Sequence, residues 1–291
     1  MTVSELEALL PTDEDVAFYR EHGWYVSKHI LDEDTIEDAL YGIDRFYAGE
    51  RDRTLPIRRG YLDWKPEDGD DVLRQNDYVS LQNDEIRDLV SNPVIGAIAA
   101  RLAGATTIRL FHDQLIYKPP SDDVETTVGW HSDRSYWKTC TSERMLTAWV
   151  PFVPTSEASG TLTMIDGSHR WPNVEVFDTF NDRDMKALEA QFESDGAPVV
   201  RVPMELEPGQ VSFHHSRMLH GSLPNTSSGP RIALAIHMQD DTNVYQRHLD
   251  EKGNPILHVN DVLCRSDEEG TPDYADPDIC PVLWDAAEAR A

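Results

Sequence analysis

The feature that most restricts the fold is a change in the pattern of apolar residues near residue 105. Before it, apolar side chains recur at helical spacing, as at Ile36, Leu40 and Ile43. After it, the pattern becomes that of strands and turns, and residues 232–239 alternate between larger apolar side chains and other side chains. Helices first and many strands later favour a mainly β fold with added helices, in which a β-sandwich or barrel core carries an N-terminal helical layer.

The N-terminal part contains recognisable helix signals. Thr12 followed by acidic residues predicts a helix that ends at Gly23, and 24–26 follows as a short strand. A second helix is predicted after Asp32. A third, over 85–102, is interrupted at Pro93 because proline cannot continue a helix.

The strands and the segments without a clear pattern complete this prediction. Residues 51–80 carry an arginine cluster and a polar loop, which is either a candidate lid or an ordinary surface excursion. The acidic tail after residue 240 is rich in turns, and Trp284 is a candidate anchor for it. We therefore predict one domain over 1–291, with a helical layer and candidate lid at 13–105, the core at 106–239 and an extension at 240–291. Its strands are predicted at 106–118, 145–150, 161–165, 210–213 and 232–239.

Composition excludes several classes of partner. The 291 residues carry a formal net charge of −27, and such a surface repels phosphate backbones and anionic membranes. The three cysteines are far apart and not in metal-binding or redox spacing, which is typical of free thiols in a reducing compartment. No leader and no apolar run long enough to span a membrane is visible, so we expect a cytoplasmic protein that acts on a small molecule. The oligomeric state is left open.

The stretch GWHSDRSYW holds a histidine and an aspartate two residues apart. Residues i and i+2 of an extended chain share a face, so His131 and Asp133 could reach the same ion. One imidazole and one carboxylate are two thirds of the facial triad that holds non-haem Fe(II). An isolated His-x-Asp is common, and the alternative is a polar turn.

The second histidine must come from another strand. The downstream histidines weighed for this place are His169, His214, His215, His220 and His237. His220 follows a predicted strand and precedes a Gly-Ser turn, and an arginine comes eleven residues later at the start of the next strand. A hairpin of that length could return Arg231 to the metal, where its planar guanidinium would bind a carboxylate in bidentate fashion.

These motifs together resemble the phytanoyl-CoA dioxygenase (PhyH-like) family of Fe(II)/2-oxoglutarate-dependent oxygenases. The His131-x-Asp133 pair, then His220 and Arg231, follow the order of that family. FYREHGWYVSKHIL, DQLIYKPP and TAWVPFVPTSEASGTLTMIDGSHRW also resemble family segments, and the similarity covers most of 13–239. The resemblance implies a double-stranded β-helix, a jelly-roll, cupin-like core.

The resemblance also implies roles for particular residues. His131, Asp133 and His220 match the iron ligands, and Arg231 matches the residue that pairs with the distal carboxylate of 2-oxoglutarate. The further cosubstrate contacts that it implies are Ser222, Trp149, Gln114 and Lys118, of which the last two depend on strand register. Without the family, Trp149 would be taken as core and Ser222 as part of a turn.

The implied activity is that of a dioxygenase that uses Fe(II), 2-oxoglutarate and O2. It hydroxylates an unactivated C–H bond and releases succinate and CO2. Related halogenases lack the aspartate, so Asp133 favours hydroxylation over halogenation, while desaturation and ring closure stay open. Two alternatives remain: a non-catalytic jelly-roll binding or regulatory protein, and a cupin-type metalloenzyme that does not use 2-oxoglutarate.

The substrate is the least defined part of this prediction. We expect a small polar metabolite or an intermediate of natural-product biosynthesis. The residues expected to meet it at the mouth of the pocket are Arg134, Tyr136 and Trp137, with Arg58 and Arg59 as candidates for an anionic group. The alternatives are solvent-exposed loop positions for the first three, and arginines paired with surface acids for the cluster at 51–59.

Overall fold

The computed structural model describes residues 3–55, 62–177, 179–194, 196 and 198–288. Within these residues the α-helices are α1 (Val3–Leu9), α2 (Asp13–His22), α3 (Glu33–Tyr47), α4 (Asp84–Val90), α5 (Pro93–Ala103), α6 (Met185–Ser194) and α7 (Asn260–Leu263). The strands are β1 (Trp24–Val26), β2 (Arg74–Asp77), β3 (Thr107–Lys118), β4 (Val128–His131), β5 (Leu146–Pro151), β6 (Thr163–Ile165), β7 (Arg201–Pro203), β8 (Ser212–His215), β9 (His220–Ser222), β10 (Arg231–Asp240), β11 (His248–Leu249), β12 (Pro255–Ile256) and β13 (Val282–Asp285).

Two antiparallel sheets form the core. The larger has the order β1-β8-β5-β10-β3-β13, and β2 also pairs with β3. The smaller has the order β4-β9-β6-β7. A buried cluster joins the facing surfaces of the two sheets, for example Trp149 and Ala235 of the larger sheet with Met164 of the smaller. This arrangement is the double-stranded β-helix that the sequence predicted, and the predicted fold class is confirmed.

The outer face of the larger sheet is covered by the N-terminal helices. Leu234 and Ile236 of β10 belong to the main apolar cluster together with Ile95 and Ile98 of α5. The intervening residues of β10, at 231, 233, 235 and 237, belong to the opposite face. The alternation read from the sequence over 232–239 therefore separates the helical layer from the interior of the jelly roll.

The helix ends follow the local chemistry of the sequence. Thr12 and Asp15 form a capping box on α2, and Gly23 ends that helix with a φ of +81°. Asn92 caps α5 with Pro93 in its first turn, so the predicted break falls between α4 and α5. The strand predicted at 210–213 is shifted, because Gly209 and Gln210 lie in a turn and the ladder begins at Ser212.

Several elements had no clear signal in the sequence. Strands β4 and β9 have four and three residues, too few for a periodic pattern to be visible. The tail contributes β13, in which Trp284 pairs with Ile108, in agreement with the expected anchor. In the described part of the chain, no helix is long and apolar enough to cross a membrane.

The arginine cluster at 51–59 is only partly described. Arg51 donates hydrogen bonds to the carbonyl oxygens of Phe46 and Glu50, and Arg53 pairs with Asp84. These two side chains therefore stabilise the local structure around residues 46–53 and 84. Arg58 and Arg59 lie outside the described residues.

Candidate metal centre

Three predicted ligands come together where the edge strand β4 of the smaller sheet pairs with β9. His131 ends β4, Asp133 begins the 3-10 turn that follows it, and His220 begins β9 directly opposite His131 in the ladder. One potential ligand atom from each residue lies within 4.8 Å of the others. All three side chains are buried. The interstrand pairing thus sets the spacing of the two imidazoles, and the turn adds the carboxylate.

Backbone carbonyls orient both imidazoles. Nδ1 of His131 lies 2.8 Å from the oxygen of Gly129, and Nδ1 of His220 lies 2.9 Å from that of Met218. A carbonyl oxygen can only accept, so each Nδ1 carries the hydrogen and each Nε2 keeps its lone pair. Burial lowers the pKa of both imidazoles, which keeps them in the neutral form that binds metals.

The carboxylate of Asp133 is held from the larger sheet. Its Oδ2 accepts a hydrogen bond of 2.7 Å from Thr147 of β5, and Nε2 of His214 lies 3.4 Å from the same oxygen. Its Oδ1 lies 3.5 Å from Nε2 of His220. Burial alone would raise the pKa of Asp133, but His220 and His237 hold it well below its usual value. An ionised carboxylate therefore faces two neutral imidazoles.

A cavity of about 340 Å³ extends from this triad between the two sheets. Besides the three ligands, it is lined by Arg231, Ser222 and Trp149 and by a group of polar and aromatic side chains considered below. Its volume is in the range of small-molecule sites.

Arg231 is the most unusual charge in this cavity. It is 2% exposed, and Nε and Nη1 of its guanidinium have no hydrogen-bond partner among the described residues. Burial lowers its pKa to about 10, so it is charged at neutral pH. A buried cation without a partner is costly, and a carboxylate bound in the cavity would supply the missing partner.

Lys118 places a buried amine beside the guanidinium of Arg231, because the two residues pair in the β3–β10 ladder. Its Nζ donates to Ser222 Oγ at 2.7 Å and to the carbonyl oxygen of Leu223 at 2.6 Å. Burial and the neighbouring Arg231 hold the pKa of Lys118 well below its usual value. Lys118 thereby fixes Ser222, and the described residues offer neither basic group an ion-pair partner.

The predicted cosubstrate contacts share this part of the interior. Lys118 and Gln114 lie on the same face of β3, but Lys118 does not itself line the cavity and contacts it through Ser222. Gln114 lines the cavity and donates to Asp77, and the ring of Trp149 lies 5.7 Å from the Arg231 guanidinium carbon.

The predicted substrate contacts separate into three groups. Tyr136 and Trp137 line the cavity. Arg134 does not: its guanidinium donates to the carbonyl oxygens of Trp137, Cys140 and Ser142 and so braces the loop. The expectation that Arg134 reaches the pocket mouth is therefore corrected. Arg58 and Arg59 are not described.

Several cavity residues were missed or left open by the sequence analysis. They are His112, His258, Thr147, Phe180 and Asn181. His214 and His237, weighed as possible ligands, also line the cavity. A signal existed for two of these: His112 is two residues before Gln114 on β3, and His237 is six residues after Arg231 on β10, so both have the parity of the inward face. Phe180 and His258 come from irregular segments and had no such signal.

The donor set fits a specific kind of metal. Two neutral imidazoles and one carboxylate on one side of an ion are the ligands of non-haem Fe(II) oxygenases, and they leave three coordination positions open. Together with the jelly-roll core and the unpartnered Arg231, they define the class of Fe(II)/2-oxoglutarate-dependent oxygenases.

Comparison with known proteins identifies the family. Residues 19–233 match the phytanoyl-CoA dioxygenase (PhyH) family, and the chain belongs to that family. The enzyme is therefore an Fe(II)- and 2-oxoglutarate-dependent dioxygenase, as the sequence motifs indicated.

Two curated relatives are similar to this chain over part or most of its length. A probable phytanoyl-CoA dioxygenase of Caenorhabditis elegans is 26% identical over 160 residues, which are 54% of this chain and 47% of that protein. The chain thus spans about half of that relative. A 1-deoxypentalenic acid 11-beta-hydroxylase of Streptomyces arenae is 27% identical over 243 residues, 78% of each chain.

Among solved structures, the epimerase SnoN in complex with Fe3+, alpha ketoglutarate and nogalamycin RO superimposes with a TM-score of 0.66. It is 25% identical, and the match covers 97% of this chain and 100% of SnoN. The iron and the cosubstrate named for that structure are the ones expected from the donor set described above.

Proposed function

We propose that this enzyme hydroxylates an unactivated C–H bond of a small polar metabolite or natural-product intermediate. His131, Asp133 and His220 bind Fe(II), and Arg231 binds the distal carboxylate of 2-oxoglutarate. The observation that carries this proposal is the buried, unpartnered guanidinium of Arg231 in the same cavity as the three ligand atoms.

The other cosubstrate contacts follow from the same geometry. Ser222 and Trp149 flank the position that the carboxylate would take beside Arg231. Lys118 holds Ser222 in place through its hydrogen bond. Gln114 contacts the cosubstrate or the primary substrate from β3, and Tyr136 and Trp137 contact the primary substrate.

When bound, Fe(II) and 2-oxoglutarate supply the oxidising chemistry that uses O2, releases succinate and CO2 and hydroxylates the substrate. The chain contributes binding, orientation and exclusion of water. Gly129 and Met218 fix the imidazoles, Thr147 fixes the carboxylate, and the two facing sheets enclose the reacting groups.

The presence of Asp133 supports hydroxylation over halogenation, because its carboxylate occupies the ligand position that a halide would need. A curated relative named as a hydroxylase supports the same outcome. A metalloenzyme independent of 2-oxoglutarate would not need a carboxylate partner at Arg231.

Anaerobic addition of Fe(II) and then 2-oxoglutarate tests the proposal. We expect a visible charge-transfer band that appears only with both and is lost in His220→Ala. Arg231→Gln should weaken the dependence of the band on 2-oxoglutarate. Arg101→Gln, at an exposed ion pair with Asp13, is the matched control. Absence of the band from the unmodified protein would contradict the proposal.

We further propose that the chain acts as one domain in the cytoplasm on a free small molecule, without a nucleic-acid partner. The charge of −27 supports the last point, since it repels polyanions. The three cysteines are free thiols, which supports a reducing compartment.

A further inference from the structure

Two of the three cysteines lie side by side in the C-terminal extension. Cys264 caps the end of α7, and Cys280 lies 16 residues further along the chain, just before β13. Their Sγ atoms are 3.9 Å apart, and the two residues are 5% and 0% exposed. Cys140 lies elsewhere, where its backbone pairs with that of Tyr245. The spacing in sequence did not indicate this pair, because it matches no redox motif.

Backbone hydrogen bonds hold the two cysteines close together independently of their sulfur atoms. The N–H of Arg265 donates to Asp276 Oδ2 at 2.7 Å, and the N–H of Asp273 donates to the carbonyl oxygen of Arg265 at 2.8 Å. The N–H of Cys280 donates to the carbonyl oxygen of Asp276 at 2.7 Å. The loop 265–279 is thus already closed at its base. A disulfide has an S–S distance of about 2.05 Å, so the two side chains share an approach of roughly 2 Å.

A surface cavity of about 420 Å³ reaches both ends of this loop. Its lining includes Leu263 and Arg265, on either side of Cys264. It also includes Ile279, which directly precedes Cys280. A small oxidant dissolved in this cavity therefore reaches the residues that adjoin both thiols.

Cys280 is the less reactive member of the pair. The hydrogen bond with Cys264, and then burial, raise the pKa of Cys280 well above its usual value. It therefore stays protonated at neutral pH, and a thiol reacts with oxidants far more slowly than a thiolate. We assign the first oxidation to Cys264, which is the more exposed of the two, and the second step to Cys280.

We propose that Cys264 and Cys280 form a modification site at which hydrogen peroxide produces an intrachain disulfide. The Cys264 thiolate attacks one oxygen of the peroxide, the O–O bond breaks, and the departing hydroxide becomes water with the proton that Cys264 released, which leaves a sulfenic acid. The sulfur of Cys280 then attacks that of Cys264, the S–O bond breaks, and the hydroxyl leaves as water with the Cys280 proton. Two thiols thereby lose two electrons and two protons, and one peroxide is reduced to two waters. The pair rests as two thiols in a reducing compartment, and neither step depends on the proposed function.

The disulfide restrains the segment that brings His258 into the active-site cavity. The side chain of Asn260, at the start of α7, donates to Cys280 Sγ at 3.6 Å and accepts from the hydroxyl of Tyr78 at 2.7 Å. The backbone N–H of Asn260 donates to Nδ1 of His258 at 3.1 Å, and His258 lines the cavity. A bond from Cys264 to Cys280 therefore joins the end of α7 to the chain entering β13, which pairs with β3.

Tryptic peptide mapping of the full chain tests the proposal, because trypsin cuts between the two cysteines at Arg265. The protein is kept free of iron with a chelator so that peroxide does not react at the metal centre. It is treated with hydrogen peroxide, quenched with catalase, alkylated in urea and digested without reductant. We expect peptides 253–265 and 266–290 in one linked species, two hydrogens lighter than their sum, that separates on reduction with dithiothreitol. Peptide 139–144 should carry alkylated Cys140.

Several results of this mapping would overturn the proposal. They are two separate alkylated peptides, oxidation of Cys264 to the sulfinic acid without a link, a link that includes peptide 139–144, and a link found only in dimers on a non-reducing gel. None of these results depends on a variant that has to fold.

Single substitutions test the order of the two steps. In Cys280→Ser, the sulfenic acid of Cys264 has no partner, and dimedone should trap it as an adduct on peptide 253–265. In Cys264→Ser, peptide 266–290 should carry no adduct. Cys140→Ser is the matched control and should keep the link between the other two peptides. An adduct on peptide 266–290, or loss of the link in Cys140→Ser, would contradict the assignment.

The disulfide should also stabilise the fold, because closing the loop restricts the unfolded chain. We expect the oxidised protein to melt roughly 3 to 10 °C above the reduced protein. Cys140→Ser should keep this difference, and Cys280→Ser should lose it. An oxidised protein that melts at or below the temperature of the reduced one would show that the bond distorts the extension, and would overturn the site described.

Discussion

Thr147 donates a hydrogen bond of 2.7 Å to Oδ2 of Asp133 and thereby connects the larger sheet to the metal-binding edge of the smaller one. The bond leaves Oδ1 on the side of His220. It fixes the orientation of the carboxylate before an ion binds. Mutation of residues that hydrogen-bond to a metal ligand commonly lowers metal affinity by about 10- to 100-fold.

Thr147→Val should therefore weaken Fe(II) binding by roughly tenfold or more. Valine keeps the shape of threonine and removes the donor. Anaerobic Fe(II) titration measures the effect, and Thr147→Ser, which restores a hydroxyl, should recover most of the affinity. Equal affinity in the valine and serine variants would show that the bond does not position Asp133.

Arg231→Met should stabilise the free protein and abolish its response to 2-oxoglutarate. Removing a buried charge that has no partner favours folding, by roughly 1 to 4 kcal/mol. The same change removes the guanidinium that would bind the distal carboxylate of 2-oxoglutarate. Urea unfolding gives the first effect, and the change in melting temperature on adding 2-oxoglutarate gives the second. A variant less stable than the original chain, or one still stabilised by 2-oxoglutarate, would contradict this role for Arg231.

Acid should destabilise the fold through its buried neutral histidines. Burial, with smaller contributions from His169 and Arg217, lowers the pKa of His215 to about 3, against about 6.5 in an unfolded chain. Between these values the unfolded state binds a proton that the folded state does not. The contribution is thus complete above about pH 6.5 and is lost as pH falls toward 3, by up to about 1.4 kcal/mol per pH unit for each such ring.

His215→Asn should make this loss shallower. Asparagine does not titrate, and its oxygen can replace Nδ1 as the acceptor for the Arg217 N–H. Urea unfolding at several values between pH 5 and pH 7, with pH 8 as the reference for the intrinsic effect of the substitution, measures the slope. An unchanged slope would mean that His215 is already protonated in the fold.

Gly129→Ala should displace the segment that closes the cavity. A Cβ at this position would lie 2.1 Å from the carbonyl oxygen of Asp182 and 2.3 Å from that of Thr179, and this segment carries Phe180 and Asn181 into the cavity lining. We expect a loss of roughly 1 to 3 kcal/mol of stability.

Gly229→Ala is the matched control for this substitution. No heavy atom lies within 4 Å of a Cβ added there, so its effect should stay below about 0.5 kcal/mol. Thermal melting compares the two variants. If both behave alike, the segment is not held by close approach to Gly129.

The sequence predicted those parts of the fold whose signals are local. The α2 boundaries follow from Thr12 and Gly23, and the alternation in β10 distinguishes the face packed on helices from the interior. β4 and β9 escaped prediction because their pairing with each other, not their own few residues, makes them strands. Their existence depends on contacts that are distant in the chain.

The site shows the same division between local and distant signals. Two metal-binding positions stand two residues apart and could be read directly, and the third followed from the turn and arginine after His220. Arg134 lay beside these residues in sequence but turns toward loop carbonyls, since the 3-10 turn directs it away from the cavity. The rings of His112, His237 and His258 come from β3, β10 and the tail, so only the folded chain brings them together.

The unpartnered guanidinium of Arg231 has a consequence for the choice of buffer. Any carboxylate small enough to enter the cavity meets a guanidinium whose Nε and Nη1 are unsatisfied. We therefore expect citrate, malonate and succinate to compete in binding assays with this protein and to raise its melting temperature by mass action. Affinities and stabilities measured on this enzyme are comparable only when the buffer anion is the same.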